Sequence, residues 1–214
     1  MNIPLSLLSS MSTCQVQIHG VCVKAHLIDH AALVDSHIAQ TKTSMKSCSL
    51  WRSRLFSLDV KTDENNVPQL LILCAGTQCF IIQLGYLESY PYNLSDLFSQ
   101  EDFCFVSARM SLILRSSITF KLGQILKIGA ACKNGIDLGY MAARVLKNPD
   151  LIQERSLEKL AEAAGVTLKQ PTLFGTKTPA WSARVFTAEQ IKLAIHDAYA
   201  EYLIGFKLLE KIYC

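Results

Sequence analysis

The sequence lacks the markers of membrane proteins and of most hydrolases. It holds no run of about 18 apolar residues, so no membrane span is expected. Its opening MNIPLSLLSSMST has an apolar run too short, and a start too uncharged, for a good signal peptide. P-loop, GxGxxG and serine- or cysteine-hydrolase motifs are absent. None of the eight cysteines forms a CxxC pair. Most lie in apolar runs, so buried free thiols in a reducing compartment are expected rather than a disulfide framework. Cys74 and Cys79 face each other across a predicted hairpin, where buried thiols are again expected over a zinc site. Charge is scarce as well: 18% of residues are charged, and a net +3 does not by itself argue for nucleic acid. These absences point to the cytosol or nucleus.

What is present is apolar patterning. Half of the 214 residues are hydrophobic, enough for a sizeable core in one domain. CQVQIHGVCVKAHLI (14–28) alternates around a Gly and predicts a hairpin or two short strands. AALVDSHIAQ (31–40) has helical spacing, and TKTSMKSCS (41–49) reads as a loop. RLFSLDV (54–60) is a buried strand. QLLILC (69–74) and QCFIIQL (78–84) form a tight hairpin of strands buried on both faces. NLSDLFSQ (93–100) predicts a short helix and FCFVSA (103–108) a fourth core strand. Further helices are expected over 137–149 with Asp137 as N-cap, and over 156–165 with Gly165 beyond its end. TAEQ (187–190) is a capping-box pattern that starts the last helix.

The order LDV (58–60), VPQLLILCAGTQCFIIQL (67–84), DFCFV (102–106), SLEKLAEAAGV (156–166) and WSARVFTAEQIKLAIHDAYAEYLIG (181–205) resembles the DEDD-type 3′–5′ exonuclease domain. The plant Werner-syndrome-like exonucleases are the nearest in pattern, and CQVQIHGVCVKAHLIDHAALVDSHI (14–38) resembles the segment that precedes the domain in them. The resemblance implies an α/β, ribonuclease-H-like fold: a mixed sheet, antiparallel in its first three strands, with flanking helices. Residues 14–214 would form the single exonuclease-like domain and 1–13 an N-terminal extension. It implies two Mg²⁺ or Mn²⁺ ions at the sheet edge, held by four carboxylates because two cations about 4 Å apart repel each other. RNA or single-stranded DNA is the implied substrate. Homo-oligomers, or hetero-oligomers with active relatives, are the implied assemblies.

Matched residue by residue, the set is incomplete. Asp59 matches the first aspartate and Asp197 the last, as remnant catalytic and metal-binding positions. Lys61 stands where a glutamate belongs, Leu193 where a tyrosine belongs, and Ile113 or a near neighbour where the third aspartate belongs. Residues 103–136 contain no Asp or Glu at all. An ammonium about 4 Å from a divalent ion costs roughly 8 kcal/mol at an effective dielectric of about 20, less if Lys61 swings towards water. Asp63 shares the strand parity of Lys61 but falls in the turn. His196 adjoins Asp197 but departs some 100° around the helix, which leaves the histidines without a replacement chemistry.

One binding signal remains. Residues 103–136 carry five cations, among them Arg109, Arg115 and Lys121, which with Lys61 form the expected phosphate-contacting set. Three readings follow: an exonuclease-fold nucleic-acid-binding protein with impaired or lost catalysis, an active metal-dependent 3′–5′ exonuclease, or a non-catalytic subunit that regulates active relatives.

Overall fold

The strand and helix signals assemble into a seven-stranded sheet with helices on both faces. The computed structural model describes residues 5–46, 54–120, 123–169 and 180–213. Helix α1 (Leu5–Met11) leads into a hairpin of β1 (Thr13–Ile18) and β2 (Val21–Ile28), which turns at Gly20 with a positive φ. Helix α2 (Ala31–Lys46) precedes the antiparallel meander β3 (Leu55–Thr62), β4 (Pro68–Ala75) and β5 (Gln78–Gln83). Then come α3 (Tyr92–Ser99), β6 (Cys104–Ser107), α4 (Met110–Ile113), β7 (Ser117–Thr119), β8 (Ile125–Lys127), α5 (Ile128–Ala131) and β9 (Gly135–Asp137). Helices α6 (Leu138–Leu146), α7 (Leu157–Ala164) and α8 (Ala188–Tyr213) complete the chain.

The sheet order is β1-β2-β5-β4-β3-β6-β9. Its centre is antiparallel, while β2 joins β5, β6 joins β3 and β9 joins β6 in parallel. The mixed sheet and the antiparallel meander are those expected from the sequence. Because strand side chains alternate, Leu70, Ile72 and Cys74 face the layer of α6, α7 and α8. Leu71, Leu73 and Ala75 face the layer of α2 to α5. This two-sided burial explains why the β4 and β5 sequences are apolar almost without interruption.

The caps fall where the sequence places them. Asp137 Oδ1 accepts from the Gly139 and Tyr140 amides at 3.0 and 3.3 Å. Ser156 caps α7, and Gly165 ends it in the left-handed region. Thr187 and Gln190 exchange bonds reciprocally, at 2.9 and 3.2 Å, before α8.

Two expectations are corrected. Residues 41–46 continue α2 instead of forming a loop. The Thr41 and Thr43 hydroxyls turn back to the carbonyls of His37 and Ala39, Lys42 pairs with Asp96, and Met45 packs on the core. These contacts fix a segment whose composition is that of a loop; residues 47–49 lie outside the described residues. Cys74 and Cys79 form a disulfide rather than two thiols, because the hairpin register sets them directly opposite, with Cα atoms 4.1 Å apart. Within residues 1–13, the helix α1 packs on α2. The short elements α4, β7, β8, α5 and β9 were not anticipated, since three- and four-residue pieces carry too few residues for a period to show.

Helix α8 crosses the sheet over β3 and β6 and packs tightly on them at Gly205. A Cβ there would lie 2.9 Å from Val106 Cγ2 and 3.5 Å from Leu55 Cδ2. Gly205→Val is expected to lower stability by about 1–3 kcal/mol through overpacking, read as a lower urea midpoint. An unchanged midpoint would show that α8 is free to lift from the sheet.

Candidate functional site

The site grows from one face of β3. Leu55, Ser57, Asp59 and Lys61 alternate to the same side, the side covered by α8. Asp59 is only 1% exposed. Its Oδ1 accepts from the Val60 amide at 2.8 Å and from Arg109 Nη2 at 3.2 Å. Its Oδ2 is buried and lacks a well-angled hydrogen bond, but the Lys61 ammonium is 2.8 Å away. An ammonium attracts a carboxylate from any direction, so the contact is an ion pair.

The same Lys61 Nζ donates to Asp197 Oδ2 at 3.0 Å. Lys61 therefore bridges the two carboxylates, one from β3 and one from α8. Its side chain is 12% exposed, so it does not swing towards water as the sequence reading allowed. Burial alone would lower the lysine pKa; the charges and hydrogen bonds of Asp59 and Asp197 outweigh it and raise the value. Burial likewise opposes the charged form of Asp197, yet His196 and Lys61 hold its pKa well below the carboxylate range.

His196 belongs to this cluster despite its angular offset on the helix. Its Nδ1 lies 3.2 Å from Asp197 Oδ1, and its Nε2 lies 3.1 Å from the Lys169 carbonyl. Both partners are acceptors, so the ring serves both only as an imidazolium. Burial works against that form, but the two acceptors raise the pKa above its ordinary 6.5. His19, at the tip of the β1–β2 hairpin, meets His196 edge-on at 4.6 Å and accepts the Lys169 amide at 3.0 Å.

Sequence reasoning missed Glu201. It lies one helical turn beyond Asp197 on the same face of α8 and is 2% exposed. Its Oε1 accepts from Ser107 Oγ at 2.9 Å and from the Ala108 amide at 2.8 Å. Burial raises its pKa well above the ordinary range, and the negative Asp59 adds to the shift. Its neutral form is thereby favoured beside Asp59 and Asp197. The spacing Asp197–Glu201 in HDAYAEY was the available signal.

Of the remaining expected positions among the described residues, Arg109 alone reaches this cluster. Ile113 is 4% exposed in the core layer of α2 to α5, and Leu193 packs partly buried in the opposite layer. Asp63 holds its own turn, accepting from the Asn65 and Val67 amides and from Gln69 Nε2. Arg109 is half-exposed while bound to Asp59. Arg115 is exposed just after α4, and Lys121 lies outside the described residues. Among the described residues no group of three or more His, Cys, Asp or Glu side chains is placed to hold a metal ion. No described helix is long and apolar enough to cross a membrane.

The architecture is shared with solved exonucleases. Escherichia coli RNase D, described as an exoribonuclease involved in structured RNA processing, matches 88% of this chain with a TM-score of 0.60 at 16% identity. The catalytic core of RRP6 from Trypanosoma brucei matches 99% with a TM-score of 0.61 at 13% identity. The match covers 45% of the RNase D chain and 53% of the RRP6 chain, so this chain spans about half of each. The Aedes aegypti Nibbler EXO domain gives a TM-score of 0.58 at 15% identity, over 88% of both chains. At such identities the likeness shows the fold, that of the 3′–5′ exonuclease domains. No protein-family model matches the chain, and no curated protein matches it.

The His196 geometry fixes a pH dependence. A histidine whose folded pKa is raised contributes stability that is fully present below 6.5 and lost as pH rises through the folded value. Urea midpoints of the native protein should therefore fall over that interval more steeply than those of His196→Ala. Parallel profiles would show that the ring carries no proton between its two acceptors.

Proposed function

We propose that this chain is a nucleic-acid-binding protein of the exonuclease fold in which metal-dependent hydrolysis has been lost. One observation carries the reading: the Lys61 ammonium stands 2.8 and 3.0 Å from the carboxylates of Asp59 and Asp197. These are the two carboxylates that the sequence resemblance assigns to Mg²⁺ or Mn²⁺. The donor set does not fit such ions. A lysine has no lone pair to offer when protonated, and its charge repels a divalent cation. Ile113 and Leu193 bring neither a carboxylate nor a hydroxyl. Glu201 already accepts two hydrogen bonds and favours its neutral form.

Binding needs less than hydrolysis does. Arg109, Arg115, Lys127 and Lys133 all present exposed or half-exposed charge along residues 109–133, with Lys121 between them in sequence. Cations of this kind neutralise phosphates without chemistry at the scissile bond. RNA or single-stranded DNA is the ligand class proposed, and the description of RNase D as an exoribonuclease favours RNA. Fold alone does not fix an activity, so the preference for binding over cleavage rests on the site chemistry.

The test uses 5′-labelled single-stranded RNA and DNA in Mg²⁺, Mn²⁺ or EDTA. The expected outcome is binding that weakens with salt, persists in EDTA and leaves every substrate at full length. Arg115→Ala should reduce the slope of log affinity against log salt by about one. Millimolar Mn²⁺ should raise the melting temperature of Lys61→Glu, where a carboxylate replaces the ammonium, and leave the native protein unchanged. Stepwise shortening from the 3′ end, abolished by Asp59→Asn, would overturn the proposal.

A further inference from the structure

A second polar centre lies on the other face of the sheet, away from Asp59. There α1, β1, β2 and α2 enclose a cavity of about 620 Å³, in the size range of small-molecule sites. Its lining is dominated by hydroxyls, amides and nitrogen bases. Among the described lining residues Lys24 supplies the only formal charge, and none is a carboxylate. Two histidines form its floor. His26 and His37 are 3% and 8% exposed, with ring centroids 4.5 Å apart, and both pack on Phe80.

The hydrogen bonds around these rings are incomplete. Thr13 Oγ1 donates to the Ser9 carbonyl at 2.8 Å and lies 3.1 Å from His26 Nδ1. A hydroxyl has one proton, so Nδ1 is the donor in the second contact. His26 Nε2 is then a bare lone pair, buried and without a partner among the described residues. His37 Nε2 has only the Ser9 hydroxyl, at 3.4 Å. Two histidines in tilted contact beside a lysine, with no anion among the described lining residues to balance them, form a positive field that is uncompensated once either ring is protonated.

We infer that this cavity is a binding site for a phosphate monoester, held by Lys24, His26, His37 and the hydroxyls of Ser9 and Thr13. A phosphate oxygen supplies the missing countercharge, and a protonated His26 Nε2 gains an acceptor. Charge-assisted hydrogen bonds of this kind are the strong ones. Burial now lowers the pKa of His26 to about 4 and also lowers that of His37, with Lys24 adding to both shifts. An anion in the cavity reverses the balance and raises both. The lining residues from α1 and β1 carry no charge, β2 gives Lys24 and His26, α2 gives His37 and β5 gives Gln78, so among the described residues no acid competes for the rings. The inference does not rest on the Lys61 site, which lies across the sheet.

The test follows the His26 and His37 ring resonances by NMR near pH 6 while inorganic phosphate, AMP, adenosine or a 5′-phosphorylated trinucleotide is added to the full chain. Phosphate and AMP should shift both rings saturably and raise their pKa values, and adenosine should not. Lys24 is exposed, so Lys24→Met should fold normally and weaken binding about tenfold, the loss of one charge-assisted hydrogen bond. Tighter binding of the trinucleotide than of AMP would identify a nucleic-acid end as the source of the phosphate; tighter AMP would identify a free nucleotide. Equal shifts with adenosine, equal affinity in Lys24→Met, or no saturable shift up to about 10 mM phosphate, ten times a millimolar Kd, would each overturn the inference.

Discussion

The ammonium of Lys61 is the centre on which the site depends. Asp59 sits almost without solvent exposure on a central strand, and Asp197 approaches it from α8. Two such carboxylates repel each other and lose their hydration on burial, so a cation must stand between them. Lys61 meets that need from within the chain, and Arg109 and His196 extend it at the flanks. The charges alternate through the cluster, and the third carboxyl, Glu201, escapes the conflict because burial favours its neutral form. Removing the ammonium would leave a buried carboxylate with only a half-exposed arginine, a class of change that costs about 3–5 kcal/mol.

The fold brings these groups together from distant parts of the chain. Strand β3 lies inside the sheet between β4 and β6, so its side chains are shielded by a neighbour on each edge. Helix α8 can cross close above it because Gly205 removes a side chain at the contact with Val106. The end of β6 supplies the Ser107 hydroxyl and the turn after it the Ala108 amide for Glu201, then Arg109 for Asp59. One strand, one helix and one turn thus fix the cluster, and the β1–β2 hairpin reaches it through His19.

The sequence made the large elements legible because their patterns were long and their ends were marked. The apolar β4 and β5, the Ser156-to-Gly165 helix and the Thr187–Gln190 capping box each carried several independent signals. Residues 109–137 were opaque, since five short elements there leave no room for periodicity. The carboxylates Asp59 and Asp197 were found through their surroundings, but what Lys61 does with them was not. Strand parity places Lys61 beside Asp59, whereas the reach of its ammonium to α8 is a tertiary fact. His196 was set aside on helical angle, and a flexible ring overrides that angle at 3.2 Å. The Cys74–Cys79 bond was passed over on compositional grounds, although the hairpin register already set the two opposite each other.

The chain joins a shared exonuclease architecture to a site whose cation is built in, and the proposed loss of hydrolysis follows from that substitution. A double-mutant cycle on Asp59→Asn and Lys61→Met, read by urea unfolding, tests the central interaction most directly. Each single variant should be destabilised, and the double variant should recover a coupling energy of about 1–3 kcal/mol, as expected for side chains in direct contact. Effects that add to within about 0.5 kcal/mol would mean that the ammonium does not hold the carboxylate, and the account of the site would fail.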